Sequence, residues 1–171
     1  MSFTIYDASI PPLIRGLENL AKILDKAVAQ AKSEDKDLNS LLEGRLAPDM
    51  FAFTRQVQVV SDTAKGCGAR LTGTEPPSYA DEEKTFADLH QRIAKTVSYL
   101  KTFRPEQFEG ADARTITLKF PNRTMSFSGR DYVTGFVLPN FYFHLTAAYA
   151  ILRHNGINIG KMDYLGPPPA A

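Results

Sequence analysis

The stretch Val133-Thr134-Gly135-Phe136-Val137-Leu138-Pro139-Asn140-Phe141-Tyr142-Phe143-His144-Leu145-Thr146-Ala147-Ala148-Tyr149-Ala150-Ile151 decides the fold. Val133, Val137, Asn140, His144, Ala147 and Ile151 recur at spacings of three and four, which puts them on one face of an α-helix. Asn140 and His144 are polar where a helix that only builds a core would carry Leu or Ala. Three other stretches have the same period: Leu13, Leu17, Leu20, Leu24, Ala27, Ala31; then Met50, Phe53, Val57, Val60, Ala64, Cys67, Leu71; then Phe86, Leu89, Ile93, Val97, Leu100. Four such helices of about 33 Å, at about 1.5 Å per residue, predict an all-α four-helix bundle.

Terminal signals set the expected spans at residues 10–32, 49–72, 79–103 and 129–155. Ser9 ahead of Pro11 and Pro12, and Ser78 and Ser128 each three residues before an aspartate, read as helix starts. Gly73 and Gly156 read as helix ends. Asp37-Leu38-Asn39-Ser40-Leu41-Leu42-Glu43-Gly44 predicts a short extra helix between the first two. Thr115 to Phe120 alternates polar and apolar, Pro121-Asn122-Arg123 supplies a turn, and Met125 and Phe127 resume the alternation. These features predict a small β-hairpin between the third and fourth helices. Residues 1–166 are expected as one domain, and the Pro-rich residues 167–171 as an extended tail.

Composition narrows the partners. With 20 Lys+Arg against 19 Asp+Glu and a net charge of +1, no field favours a phosphate backbone or an anionic lipid surface, so nucleic acid and membrane are not expected. The single Cys67 excludes an internal disulfide and a Cys-pair zinc site. Lacking a basic start and a long apolar run at its beginning, the chain is expected in the cytoplasm. Cys67 lies on a buried stripe and reads as a small hydrophobe. Asp62 and Lys65, three apart, read as a surface ion pair. His90, flanked by Asp88, Gln91 and Arg92, reads as part of a wet face.

Asn140 and His144 are four apart, one turn above the other, and Pro139 removes a helical hydrogen bond just there, so a kink is expected beside them. Of Asp49, Gln56 and Gln58 at the start of the second helix, Gln56 is the natural partner of the pair. Two readings follow. His144 is either a core histidine satisfied by Asn140, Gln56 or water, or part of a ligand or metal pocket formed by Gln56, Asn140 and His144. His154, about 15 Å further along the helix, cannot share an ion with His144.

The blocks Leu46 to Phe51, Arg55 to Gln58, Ser128 to Tyr132, and Leu138 to Gly156 resemble an uncharacterised domain-of-unknown-function family of the DinB/YfiT-like superfamily. The resemblance implies a four-helix bundle, often dimeric, whose metal-binding members use one histidine on the second helix and two, four apart, on the fourth. His144 matches the second of that pair, Asn140 stands where the first belongs, and the second helix has no histidine, with Gln56 or Gln58 nearest. One imidazole and neutral amides are a poor set for zinc or nickel. The expectation is a remodelled site without a resident metal, with His144 a weak candidate ligand and room for only a weakly held divalent ion. Such a pocket suits small-molecule binding or thiol-transferase-like chemistry. The alternatives are a structural or protein-interaction bundle without catalysis, and a metal-dependent hydrolase or transferase. Phe141, Tyr142 and Phe143 add aromatics around the fourth helix and, with the resemblance, predict a homodimer.

Overall fold

A computed structural model describes residues 3–168. The chain is mostly helical, with one two-stranded antiparallel sheet. Its long helices are α1 (Ile5–Ser33), α2 (Phe53–Leu71), α3 (Phe86–Leu100) and α4 (Gly129–His154). A 3-10 helix, Leu38–Glu43, follows α1 with Asp37 as its cap, and a second, Pro105–Phe108, follows α3. The hairpin is β1 (Thr115–Phe120) with β2 (Arg123–Ser128), and a short α5 (Lys161–Leu165) closes the described chain. Neither Pro105–Phe108 nor α5 is expected from the sequence.

Helices α1 and α2 each pack against both α3 and α4. Leu17, Val60, Ile93 and Ile151, one from each helix, belong to a single cluster of buried apolar side chains. The buried face of α4 is wider than expected, because Phe141, Leu145, Ala148 and Leu152 are buried beside the predicted stripe. Phe141 is thus core, and only Tyr142 and Phe143 of the aromatic trio are exposed. By length and mean hydropathy of 1.2, α4 could cross a membrane, yet its apolar stripe is spent on contacts with α1 and α2.

Two helix starts differ from expectation. Helix α1 begins at Thr4, whose side chain accepts from the Asp7 amide while Asp7 accepts from the Thr4 amide. Ser9 is buried inside the helix, donating to the Ile5 carbonyl at 2.6 Å, and Pro11 and Pro12 lie within α1. Helix α3 begins at Thr85, which caps Asp88, rather than at Ser78. Ser128 does cap α4 through the Asp131 amide. Gly73 and Gly156 have φ of +75° and +87°, the left-handed geometry that ends a helix.

The segment ahead of α3 is held extended by charge. Arg92, buried on α3, donates to Glu83 and Asp62 at 2.7 Å and to the Ala80 carbonyl at 3.1 Å, and it meets Asp81 at 3.1 Å. Arg55 also reaches Asp81, at 2.6 Å. Asp62 and Lys65 do pair, at 3.0 Å, but Lys65 is buried and Asp62 also serves Arg92, so this is no isolated surface pair, and Arg92 is not on a wet face. His90 is partly exposed and lies 3.3 Å from Asp25.

In the hairpin, Phe120 pairs with Arg123, so Pro121-Asn122 alone forms the turn and Arg123 is already strand. Ile116 and Leu118 point inward, while Thr117 and Ser126 share a hydrogen bond on the outer face. Arg15 donates to the carbonyls of Leu165 and Pro167, holding the chain end against α1. Of the expected tail, Pro169, Ala170 and Ala171 lie outside the described residues.

Candidate functional site

Pro139 shapes α4 differently from a simple kink. Residues Tyr132–Val137 form a π-helical segment, in which the Leu138 amide bonds the Val133 carbonyl five residues back. The wider turn takes in one extra residue just before the position whose amide hydrogen is missing. Gly135, the residue whose carbonyl Pro139 would otherwise have served, is exposed, so water can meet that oxygen.

Asn140, next to Pro139, and His144, one turn further on, part company. Asn140 is half-buried and donates its Nδ2 to Thr63 Oγ1 on α2 at 2.8 Å. His144 is 8% exposed, with Nδ1 2.6 Å from Gln56 Oε1. Gln56 therefore partners His144 alone. Gln58 turns to Glu83 and Arg55, and Asp49 lies exposed in the turn before α2.

The Gln56 contact determines the state of the imidazole. Gln56 Nε2 donates to the Phe51 carbonyl at 3.0 Å, and a carbonyl can only accept. The amide is thereby oriented with Oε1 toward His144, which requires a proton on Nδ1. Burial first, and the Arg55 charge second, push the His144 pKa below its ordinary value. The neutral ring then carries its lone pair on Nε2, for which the described residues supply no hydrogen-bond partner. Phe51 stacks on the ring with centroids 6.0 Å apart, and Phe143 meets it edge-on at 5.1 Å. Both aromatics are exposed, at 49% and 58%. An apolar groove of about 410 Å³ runs alongside, walled by Leu46, Met50, Pro139, Phe143 and Ala147; His144 contributes no atom to that wall.

A neutral imidazole with Nδ1–H bonded to an oxygen and Nε2 open is the form in which histidine binds a metal. The remaining donors do not follow. Asn140 is engaged with Thr63, Gln56 Oε1 is taken by His144 itself, and among the described residues no group of three His, Cys, Asp or Glu side chains is placed to hold a metal ion. The residues present do not fit a tightly held ion. Cys67 is buried, and desolvation pushes its thiol up to about 12, so it supplies no thiolate. Sequence spacing finds His144 and Gln56 but misses Phe51 and Thr63. The first precedes its helix, and the second sits seven residues beyond Gln56, two turns along α2.

The family described as "Domain of unknown function (DUF1993)" matches residues 5–165. The chain belongs to this family. A crystal structure of a DinB family member protein from Shewanella denitrificans is similar to the DUF1993 chain at 43% identity, covering 97% of this chain and 94% of that one, with a TM-score of 0.89. No curated protein matches. The DUF1993 chain is thus a DinB-family domain of unknown function, as its Leu138 to Gly156 block implies.

Proposed function

We propose that this DUF1993 protein is a metal-free small-molecule binder whose recognising atom is His144 Nε2, on a four-helix bundle of the DinB/YfiT-like type spanning residues 1–166. The observation that carries the reading is the Gln56 amide held between the Phe51 carbonyl and His144 Nδ1, which fixes a neutral, accepting imidazole beside two exposed aromatic rings. Such an atom accepts a hydrogen bond from a hydroxyl or thiol, and the apolar groove takes the body that carries it. Thiol-transferase-like chemistry here would use a thiol brought by the substrate, since Cys67 is unsuited.

The proposal includes a homodimer, supported by the exposure of Leu46, Phe51, Tyr142 and Phe143 around this site. It also includes a cytoplasmic location, supported by a single cysteine that can form no internal disulfide, and neither nucleic acid nor membrane as partner, supported by the balanced charge.

The test uses protein dialysed against chelator, with phenol as a probe having one proton donor and toluene as the isostere without one. Nitrogen-15 spectra are expected to show Nε2 of His144 unprotonated in the free protein, and a saturable shift of that nitrogen with phenol but not toluene. Protonated Nε2 in the free protein, or a stoichiometric metal on His144 that survives chelation, would overturn the reading.

A further inference from the structure

A cavity of about 580 Å³ lies away from His144. It lies between the C-terminal half of α2, strand β1 and the π segment of α4, and its wall includes Arg70, Arg114, Thr63, Tyr132, Phe136 and Asn140. Two features set it apart from a surface crevice.

The first is unspent positive charge. Arg70 and Arg114 are both half-buried, and among the described residues neither has a carboxylate within ion-pair distance. Each uses only Nη1 in a hydrogen bond, Arg70 to the Tyr132 hydroxyl at 3.1 Å and Arg114 to the Leu71 carbonyl. A guanidinium has five N–H donors, so most of both forks remain unused. Arg70 is also seated in advance: it lies across the position where a β-carbon on Gly66 would stand, 2.2 Å from Nη1. Of the acidic groups in the wall, Asp62 is matched by Lys65 and Arg92, which leaves exposed Glu75 as the unmatched carboxylate, against Arg70, Arg114 and Lys119.

The second is the supply of neutral donors. Tyr132 accepts from Arg70, and burial pushes its phenol up to about 12, so it keeps its proton and can donate it. Thr63 accepts from Asn140 Nδ2, which leaves the threonine proton free. The apolar part of the wall is Ile116 and Leu118 of β1 together with Phe136, whose ring stacks on that of Tyr132 with centroids 6.0 Å apart.

We infer that this cavity binds a small organic carboxylate with a flat apolar body, its carboxylate held by Arg70 and Arg114 and its body laid against Phe136 and the inner face of β1. Two planar forks match a carboxylate's geometry, and the volume is that of an ordinary ligand site. A bare phosphate would share the charge chemistry and leave the apolar wall unused. The inference is independent of the His144 reading, since no atom of His144 or Gln56 lines the cavity.

Titration calorimetry and amide chemical shifts with benzoate, its neutral isostere benzamide, and inorganic phosphate test this on the full chain. Benzoate is expected to bind saturably and to move the amides of Thr63, Tyr132 and Phe136, with benzamide and phosphate each at least about tenfold weaker. Arg70→Gln and Arg114→Gln, confirmed folded by circular dichroism, should each weaken benzoate about tenfold or more, as loss of a charge-assisted hydrogen bond does. Arg153→Gln on the exposed end of α4 should not. Because either arginine variant can fail to fold, the wild-type shift map stands as a separate criterion. Absence of saturable benzoate binding, equal binding of benzamide or of phosphate, or shifts lying elsewhere would overturn the inference.

Discussion

The ring of Phe141 on α4 lies directly over Gly16 on α1, so that a β-carbon at residue 16 would stand 2.6 Å from Phe141 Cε1. Both residues are buried, and the absence of a side chain at position 16 lets the two helices close around the ring. Gly16→Ala gains helix propensity but overpacks this crossing, and a net destabilisation of about 1–3 kcal/mol is expected. Urea unfolding of Gly16→Ala, Phe141→Leu and the double variant checks it. The double variant should recover part of the loss, because leucine lacks the edge that collides.

Gly129 is tighter still, because what a β-carbon would strike is backbone. The Ala111 carbonyl oxygen would be 1.7 Å away, and the neighbouring Arg130 amide donates to the Asp112 carbonyl at 2.9 Å. No rotamer relieves that clash. Gly129→Ala is expected to cost more than Gly16→Ala, roughly 3 kcal/mol or above, and to displace the start of α4 from residues 111–112. Hydrogen exchange at the Arg130 amide, compared between the two variants, reads the displacement directly.

His144 makes stability depend on pH. Its folded pKa lies below the ordinary 6.5, so between the two values the unfolded chain binds more protons than the native one. Stability from this residue is fully present above about pH 6.5 and declines as pH falls through that value toward the folded pKa. Unfolding free energies measured from pH 8 to pH 5 should fall less steeply in His144→Gln, which cannot titrate. Identical slopes in the two proteins would contradict the assignment of a neutral native ring.

Arg92→Leu is expected to cost about 3–5 kcal/mol, because it leaves Asp62, Asp81 and Glu83 gathered around a missing cation. The same change should free the segment between Gly73 and Thr85, which Arg92 holds against the helices. Limited proteolysis should then cut within residues 74–84 well before it cuts the helices. Uniform resistance to cleavage would mean that Tyr79, packed among Lys65, Arg92 and Lys95, secures the segment by itself.

That segment also explains where sequence reading stops. Ser78 with Asp81 and Thr85 with Asp88 are the same capping pattern seven residues apart, and propensity cannot choose between them. The choice is made from α2 and α3, where Arg55 and Arg92 take Asp81 and Glu83 into ion pairs that an α-helix over 78–84 would not present to them. The start of α1 fails for a related reason. Ser9 before two prolines has the local chemistry of a cap, but Thr4 and Asp7 cap each other ahead of it. In the site, the four-residue spacing of Asn140 and His144 correctly puts both on the α2 side of α4. Their partners diverge because Gln56 and Thr63 stand two turns apart along α2, and each amide takes the nearer group.

The extra residue taken into the turn at Tyr132–Val137 sets the angular phase of everything before it. Each residue of an α-helix advances the face by about 100°, so straightening that turn would swing Tyr132, Phe136 and the hairpin anchored at Ser128 around the helix axis relative to Asn140 and His144. A one-residue deletion there would preserve every apolar residue of the distal half of α4 and still dismantle the wall that Tyr132 and Phe136 share with β1. The spacing between Ser128 and Pro139 is therefore a dimension of the binding architecture in its own right, as sensitive to length as the pockets are to chemistry.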